Sequence, residues 1–216
     1  MIVDETTRCF HVVTIARAAA DPFLRCDDNS GQLPMVTPTL QTSRLLLRRF
    51  CPDDLDLFAE FFQNESFIRF STGNFPRERV AELIDKIIGW DRDGLPSQFV
   101  VIVRETDTPI GYCGFFHQMV DEKPEIEIGY RLHPDFWGKG FATEAARAVR
   151  DHGFTEWKFD RLISLIHPDN AASRRVAEKN GMTLEKETEF RGFTTQVFVI
   201  LRRQWLTAHA NREIRE

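Results

Sequence analysis

Three groups of residues in this 216-residue chain have the types and spacing to do chemistry. The first is Gly138-Lys139-Gly140, which joins the run Glu125-Ile-Glu-Ile-Gly-Tyr-Arg-Leu132 to an alanine-rich stretch opening at Phe141-Ala142-Thr143. Two glycines remove side chains where a strand turns into a helix, so successive N–H groups and the positive end of the helix dipole can face one anion. A phosphorylated ligand suits such a loop, although the same glycines also serve a tight turn with no ligand. The second group lies on the strand before the loop. A period of two places Glu125, Glu127, Gly129 and Arg131 on one face, with Ile126, Ile128, Tyr130 and Leu132 on the other. A carboxylate inside a strand beside an anion loop can take a proton from a nucleophile, directly or through a water, which makes Glu127 the candidate general base; the alternative is a solvated edge charge paired with Arg131. The third group is Asn170 and Ser173, at the start of a helix-forming segment. Both types favour helix starts as caps, and both side chains can also hydrogen-bond a ligand.

The loop is neither the three-glycine dinucleotide fingerprint nor the nucleotide-triphosphate loop ending in Gly-Lys-Ser/Thr, because it runs straight into Phe141-Ala142. Trp137-Gly138-Lys139-Gly140-Phe141-Ala142 instead resembles the coenzyme A pyrophosphate loop of the GNAT N-acetyltransferases, Gln/Arg-x-x-Gly-x-Gly/Ala. With Trp137 in place of the polar first residue, it is similar to the branch that contains the ribosomal-protein alanine and serine N-acetyltransferases. Asn170-Ala-Ala-Ser-Arg-Arg-Val-Ala-Glu-Lys-Asn-Gly-Met182 resembles the family's Asn-x-x-Ser-x-x-x-x-Glu-x-x-Gly-Phe segment. Two landmarks at compatible spacing are more specific than either alone, and the resemblance runs from about Leu40 to Arg203.

The resemblance implies acetyl-CoA as cosubstrate and no metal. It places the pyrophosphate on the backbone of Gly138, Lys139, Gly140, Phe141, Ala142 and Thr143. Pantetheine would pair with the strand end at Tyr130, Arg131 and Leu132, flanked by Asn170, with the Leu132 N–H as oxyanion donor. Many relatives carry a tyrosine seven residues after the asparagine, a position held here by Ala177, so the resemblance leaves Ser173 to hydrogen-bond the departing sulfur. Lys139 either adds charge toward the phosphates or is a solvated lysine. Trp137 is expected to pack at the base of the loop.

These residues need a scaffold, and the rest of the chain reads as one. Thr42–Phe50 is a first strand. Pro52-Asp53-Asp54 then supplies the cap and acidic first turn of a helix through Leu57, Phe58, Phe61 and Phe62. Val80, Leu83, Ile84, Ile87 and Ile88 recur at helical spacing in a second helix, Pro76 to Trp90, stopped by Gly94. Gln98–Arg104 and Ile110–Val120 are β-rich runs, and the turn Asp121–Pro124 leads into the strand carrying Glu127. After the glycine loop, Ala142, Ala145, Ala146 and Val149 give a small-residue helix face that can lie close to a sheet. Arg161–Ile166 is a strand, Ala171–Lys179 a helix, and Met182–Phe190 with Phe193–Leu201 a closing hairpin turned by Arg191-Gly192. The order β α α β β β α β α β β predicts an α/β fold: a single GNAT-like domain over residues 39–205, its mixed, mainly antiparallel sheet flanked by helices on both faces. Residues 206–216 read as a C-terminal tail. Residues 1–38 show no clear period and read as a flexible extension, or as an overlong start with Met35 the true first residue.

Composition bounds the function classes. A net charge of −5 and a pI near 5.7 argue against a nucleic-acid binder and mildly favour an amine-bearing partner. Cys9, Cys26, Cys51 and Cys113 form no Cys-x-x-Cys pair and have no histidine at ligand spacing, which predicts a reduced, metal-free cytoplasmic protein, monomer or homodimer. No segment has the ~20 apolar residues that span a bilayer, and no membrane partner is expected. Acyl transfer needs a neutral amine. At pH 7 a lysine ammonium is only about 0.04% neutral and an α-amine about 14%, so an α-amine asks little of a base. The expected activity is direct acetyl transfer to a primary amine, with the branch resemblance pointing to a protein N-terminus such as that of a ribosomal protein. A small amine (antibiotic, amino acid or polyamine) is the alternative acceptor, and a non-catalytic acyl-CoA sensor the alternative class.

Overall fold

The computed structural model describes residues 40–71 and 73–213; the expected extension at 1–38, with Met35, Cys9 and Cys26, lies outside the described residues. Eight strands form: β1 Leu40–Gln41, β2 Leu45–Arg49, β3 Gln98–Val103, β4 Thr108–Val120, β5 Lys123–Leu132, β6 Arg161–Ile166, β7 Thr183–Phe190 and β8 Phe193–Leu201. They make one sheet in the order β1-β2-β3-β4-β5-β6-β8-β7. Every neighbouring pair is antiparallel except β5 and β6, which run parallel and pair only at Glu127 and Ile163.

Helices cover both faces. Helices α1 Leu55–Phe61, α2 Glu65–Ile68 and α3 Arg77–Arg92 pack Phe58, Phe61, Phe67, Val80, Ile84 and Ile87 onto Val100, Ile102 and Tyr112. On the other face, α4 Phe141–Thr155 buries Ala145, Ala146, Val149 and Phe154 against Phe99, Phe115, Ile128 and Leu162. The small residues do let α4 sit close: a Cβ on Gly153 would stand 3.0 Å from Phe115 and 3.1 Å from Leu162. Helix α5, Ala171–Lys179, contributes Ala177 to that core, so a tyrosine there would have to displace packed atoms.

The element order agrees with the sequence reading, with additions. The short strand β1 and helix α2 carry too few residues to show a period. The expected tail is helical from its start, because α6, Arg202–Glu213, runs through residue 206 and onward. Trp205 anchors it, packing beside Phe154 and donating its indole N–H to Asp151 Oδ1 at 2.6 Å. Asp54, expected in the cap and acidic first turn of a helix, is 3% exposed in a 3₁₀ turn over Pro52–Asp54. Its carboxylate pairs with Arg48 at 2.6 Å and accepts the Cys51 N–H at 2.9 Å. The Arg191-Gly192 turn forms as expected, with φ of 53° and 82°.

Candidate active site

The site begins where the sheet comes apart. In a continued parallel ladder the Leu165 N–H would bond the Ile128 carbonyl. Instead the Ile128 oxygen accepts the Ser164 hydroxyl at 2.7 Å, and the Leu165 N–H goes to Glu127 Oε1 at 3.3 Å. Beyond this point β5 and β6 share no pair. The register of β4 with β5 is regular, and His133 N bonds Ile110 O at 2.7 Å, so the backbone of Arg131 faces β4 while that of Tyr130 and Leu132 faces the split. The Leu132 carbonyl accepts the Trp137 indole N–H at 2.7 Å. The Leu132 N–H and the Tyr130 peptide groups are left at an open edge, where an extended amide chain can pair.

The glycine loop closes the far end of this opening. Gly138 and Gly140 have φ of 74° and 83°, a region that costs a side chain about 1–2 kcal/mol, and Gly140 is the residue from which α4 starts. Nothing lies within 4 Å of a Cβ built on Gly138. Gly140 offers α4 no side-chain cap, so the first-turn N–H groups are left for an anion at a dipole terminus, a fit for pyrophosphate. One residue unseen in the sequence holds the loop. Arg44, beside β2, donates Nη1 to the Lys139 carbonyl at 3.0 Å, lies 4.6 Å over the Phe141 ring and pairs with Glu144 at 2.6 Å. Fixing the Lys139 carbonyl toward Arg44 turns the Gly140 N–H the opposite way, because the peptide is planar and trans. Glu144 also accepts from Thr42 Oγ1 at 2.6 Å and from Arg44 N at 3.0 Å, and these contacts hold its carboxyl below the usual range despite partial burial.

Glu127 is half-buried on the α1–α3 side of the sheet. Desolvation pushes its carboxyl up from the usual 4.5, opposed by a 2.6 Å hydrogen bond from Gln118 Nε2, by the Leu165 N–H and by the charges of Arg191 and Arg131. Gln118 in turn accepts from Arg191 Nη2 at 3.1 Å, which fixes its amide with the NH₂ toward Glu127. No sequence signal reveals this chain, since Arg191 reaches back 73 residues to meet Gln118. The edge charge pairing Glu127 with Arg131 does not form; Arg131 stands 5.8 Å and 5.7 Å over the rings of Phe62 and Phe67. Glu125, on the same strand face, is occupied by Arg161 at 3.1 Å.

At the opposite wall, Asn170 caps α5 by accepting the Ser173 N–H at 3.0 Å. The Ser173 carbonyl accepts the Tyr130 hydroxyl at 3.2 Å, and the Ser173 side chain also hydrogen-bonds the Tyr130 phenol. Trp137 differs from expectation: it is 51% exposed, tied down by its N–H instead of packed at the loop base. The Lys139 ammonium lies 5.0 Å over the Phe136 ring. Cys51 and Cys113 are buried, and burial pushes the Cys113 thiol far above its ordinary range, so neither is a ready nucleophile. Among the described residues, no cluster of three or more metal-ligating side chains occurs and no helix is long and apolar enough to cross a membrane.

The chain matches the acetyltransferase (GNAT) domain over residues 44–183. It is 33% identical over 158 residues to an uncharacterized N-acetyltransferase, p20, of Bacillus licheniformis, covering 72% of this chain and 86% of that protein. A GNAT-family acetyltransferase structure from Bacillus anthracis superposes with a TM-score of 0.65 at 28% identity, covering 76% of this chain and 99% of that one. A ribosomal-protein-S5-alanine acetyltransferase structure from Vibrio fischeri superposes with a TM-score of 0.66 at 17% identity, covering 77% and 98%, and shares the fold. The open edge of β5, the glycine loop at the start of α4 and the match across most of the chain lead to one conclusion: the chain belongs to the GNAT N-acetyltransferases, which use acetyl-CoA.

Proposed function

We propose that this enzyme transfers the acetyl group of acetyl-CoA directly to an α-amine, with Glu127 as the general base. The observation that carries the proposal is the position of Glu127 at the last residue pair before β5 and β6 part. Its carboxylate opens toward α1–α3, while the backbone of Tyr130 and Leu132 opens into the split that suits pantetheine. Acetyl-CoA supplies the thioester carbonyl; the chain supplies everything that orients it and moves protons. The backbone of Tyr130 and Leu132 at the strand end, flanked by Asn170, holds the pantetheine arm; Arg131, expected to share that role, has its backbone paired with β4 instead. The backbone of Gly138, Lys139, Gly140, Phe141, Ala142 and Thr143 holds the pyrophosphate.

The Leu132 N–H stabilises the oxygen that becomes negative as the amine adds to the carbonyl carbon. A C–N bond forms, the C–S bond breaks, and the ammonium proton passes to Glu127, directly or through a water. The Ser173 hydroxyl hydrogen-bonds the departing sulfur. A base kept by Gln118 and Leu165 from rising further suits an α-amine, which is already about 14% neutral at pH 7. Both a protein N-terminus and a free amino acid present such an amine. The test is thiol release from acetyl-CoA with a panel of amines: turnover with α-amines above ε-amines is expected. Saturable acetyl-CoA binding without turnover on any amine would make the protein a coenzyme-binding sensor instead.

A further inference from the structure

On the face of the sheet that carries Glu127, the register sets Tyr112 opposite Arg131, Gly114 opposite Gly129 and Phe116 opposite Glu127. The Phe116 ring lies over Gly129, where a Cβ would come within 2.6 Å of it. Tyr112 stands 6.2 Å from that ring, and the two make an aromatic floor between Glu127 and Arg131. Arg131 is half-buried, with its guanidinium against Phe62 and Phe67. No hydrogen bond or ion pair reaches it among the described residues. Arg48, Arg49, Arg150 and Arg161, also buried or half-buried, each meet a carboxylate at 2.6 to 3.1 Å. The Tyr112 hydroxyl repeats the pattern: the residue is 7% exposed and its O–H has no partner among the described residues. Burial keeps the phenol protonated, and it feels the charges of Arg131 and Glu127. Two strong donors without acceptors therefore share one end of the floor, and a carboxylate base stands at the other.

We propose that the Arg131 guanidinium and the Tyr112 hydroxyl form a carboxylate-binding subsite, so that the acceptor is a small amine bearing a carboxylate, of the amino-acid class. The inference rests on the proposed function, which places the acceptor amine beside Glu127. A planar guanidinium offers a paired-donor edge that matches the two oxygens of a carboxylate, and the phenol adds a third donor. Glu127 and Arg131 are four residues apart on one strand, about 13 Å between backbones, a span that two extended side chains and a small amino acid can fill. A peptide N-terminus offers only a neutral carbonyl at that point, and a polyamine brings a second positive charge toward Arg131.

Initial rates with acetyl-CoA are compared for a set of L-amino acids, the same amino acids as primary amides, short peptides and spermidine. At least one amino acid is expected to exceed its own amide in kcat/KM by roughly tenfold, the factor that one charge-assisted hydrogen bond supplies. In Arg131→Gln that ratio collapses, through a higher KM for the acid more than through kcat, and Tyr112→Phe narrows it in part. Circular dichroism and acetyl-CoA calorimetry confirm that each variant is folded and loaded. If Arg131→Gln does not fold, Arg131→Lys keeps the charge, removes the planar fork and is expected to narrow the ratio. Amides, peptides or spermidine matching the acids in the wild type, or a ratio unchanged in these variants, overturns the subsite and leaves the acetyltransfer chemistry standing. Loss of turnover with every amine overturns the proposed function and the subsite with it.

Discussion

Replacing Gln118 by methionine keeps the side-chain length and removes both polar atoms, which isolates what the amide does for Glu127. In the native enzyme Gln118 Nε2 donates to the carboxylate at 2.6 Å, a bond that favours the ionised form. A hydrogen bond to a charged group contributes about 1.5–3 kcal/mol, and one pKa unit is about 1.4 kcal/mol, so losing it should raise the Glu127 pKa by about 1–2 units. Arg191, freed from Gln118 Oε1, can swing toward the carboxylate and recover part of this, which puts the expected shift near the lower end, about one unit. The base works only when ionised, so the acidic limb of kcat/KM against pH must move to higher pH, with the alkaline plateau much less affected. Thiol release with one fixed α-amine acceptor gives both profiles, so the acceptor's own titration cancels in the comparison. Gln118→Glu, which faces Glu127 with a like charge, should move the limb further than methionine does. A uniform drop in rate with the limb unmoved would show that Gln118 only supports the strand pair, and would remove the reason for calling Glu127 the base.

Glu127→Gln should lower kcat at neutral pH and recover in part as the pH rises toward the acceptor's own pKa. The same variant should be more thermostable than the wild type above the usual glutamate pKa of 4.5. Burial raises the folded pKa above the unfolded one, so the folded state binds the extra proton and stability falls as pH rises through that window; glutamine does not titrate, and each kcal/mol relieved reads as about 2–4 °C in a scanning calorimeter. Gly140→Asp places a Cβ at a φ of 83° and a carboxylate at the anion site, and should cost at least tenfold in acetyl-CoA affinity by isothermal calorimetry while circular dichroism stays native. Asp54→Ala removes the carboxylate that pairs with the buried Arg48 and accepts the Cys51 N–H, and should destabilise by up to about 3–5 kcal/mol in urea unfolding, a loss that a wild-type midpoint would contradict.

The landmarks legible in the sequence are those whose chemistry is local. Gly138 and Gly140 sit two residues apart and do take positive φ; Asn170 and Ser173 sit three apart and do make the cap. The long strands and helices α3, α4 and α5 were readable because each repeats its own period several times. What stayed hidden depends on register. Arg44 reaches the loop only because β2 lies near α4, with Glu144 a hundred residues away. Gln118 faces Glu127 only because the β4–β5 turn sets Phe116 against Glu127 and Gln118 against Glu125. A one-residue slip would send every one of these side chains to the other face, and a single sequence does not fix that slip. Asp54 was legible only as a first-turn acid, and its buried role appears only once Arg48 is placed beside it.

The position of Glu127 ties the fold to the chemistry by one physical constraint. Parting two parallel strands frees backbone groups along both edges, and those not covered by ligand must be covered by the protein. Here the Ser164 hydroxyl takes the Ile128 carbonyl and the Glu127 carboxylate takes the Leu165 N–H, so the split is stabilised by side chains at its root and left bare further along, at Tyr130 and Leu132. A neutral amide at position 127 could also accept the Leu165 N–H, and without the cost of burying a charge. What an amide cannot do is receive a proton. The carboxylate is therefore the more expensive way to seal the split and the only one of the two that can serve as a base. Its further ties to Gln118 and Arg191 offset part of that cost by favouring the ionised, proton-accepting form. Sealing the split and accepting the proton are separable by substitution: glutamine should keep the first role and lose the second.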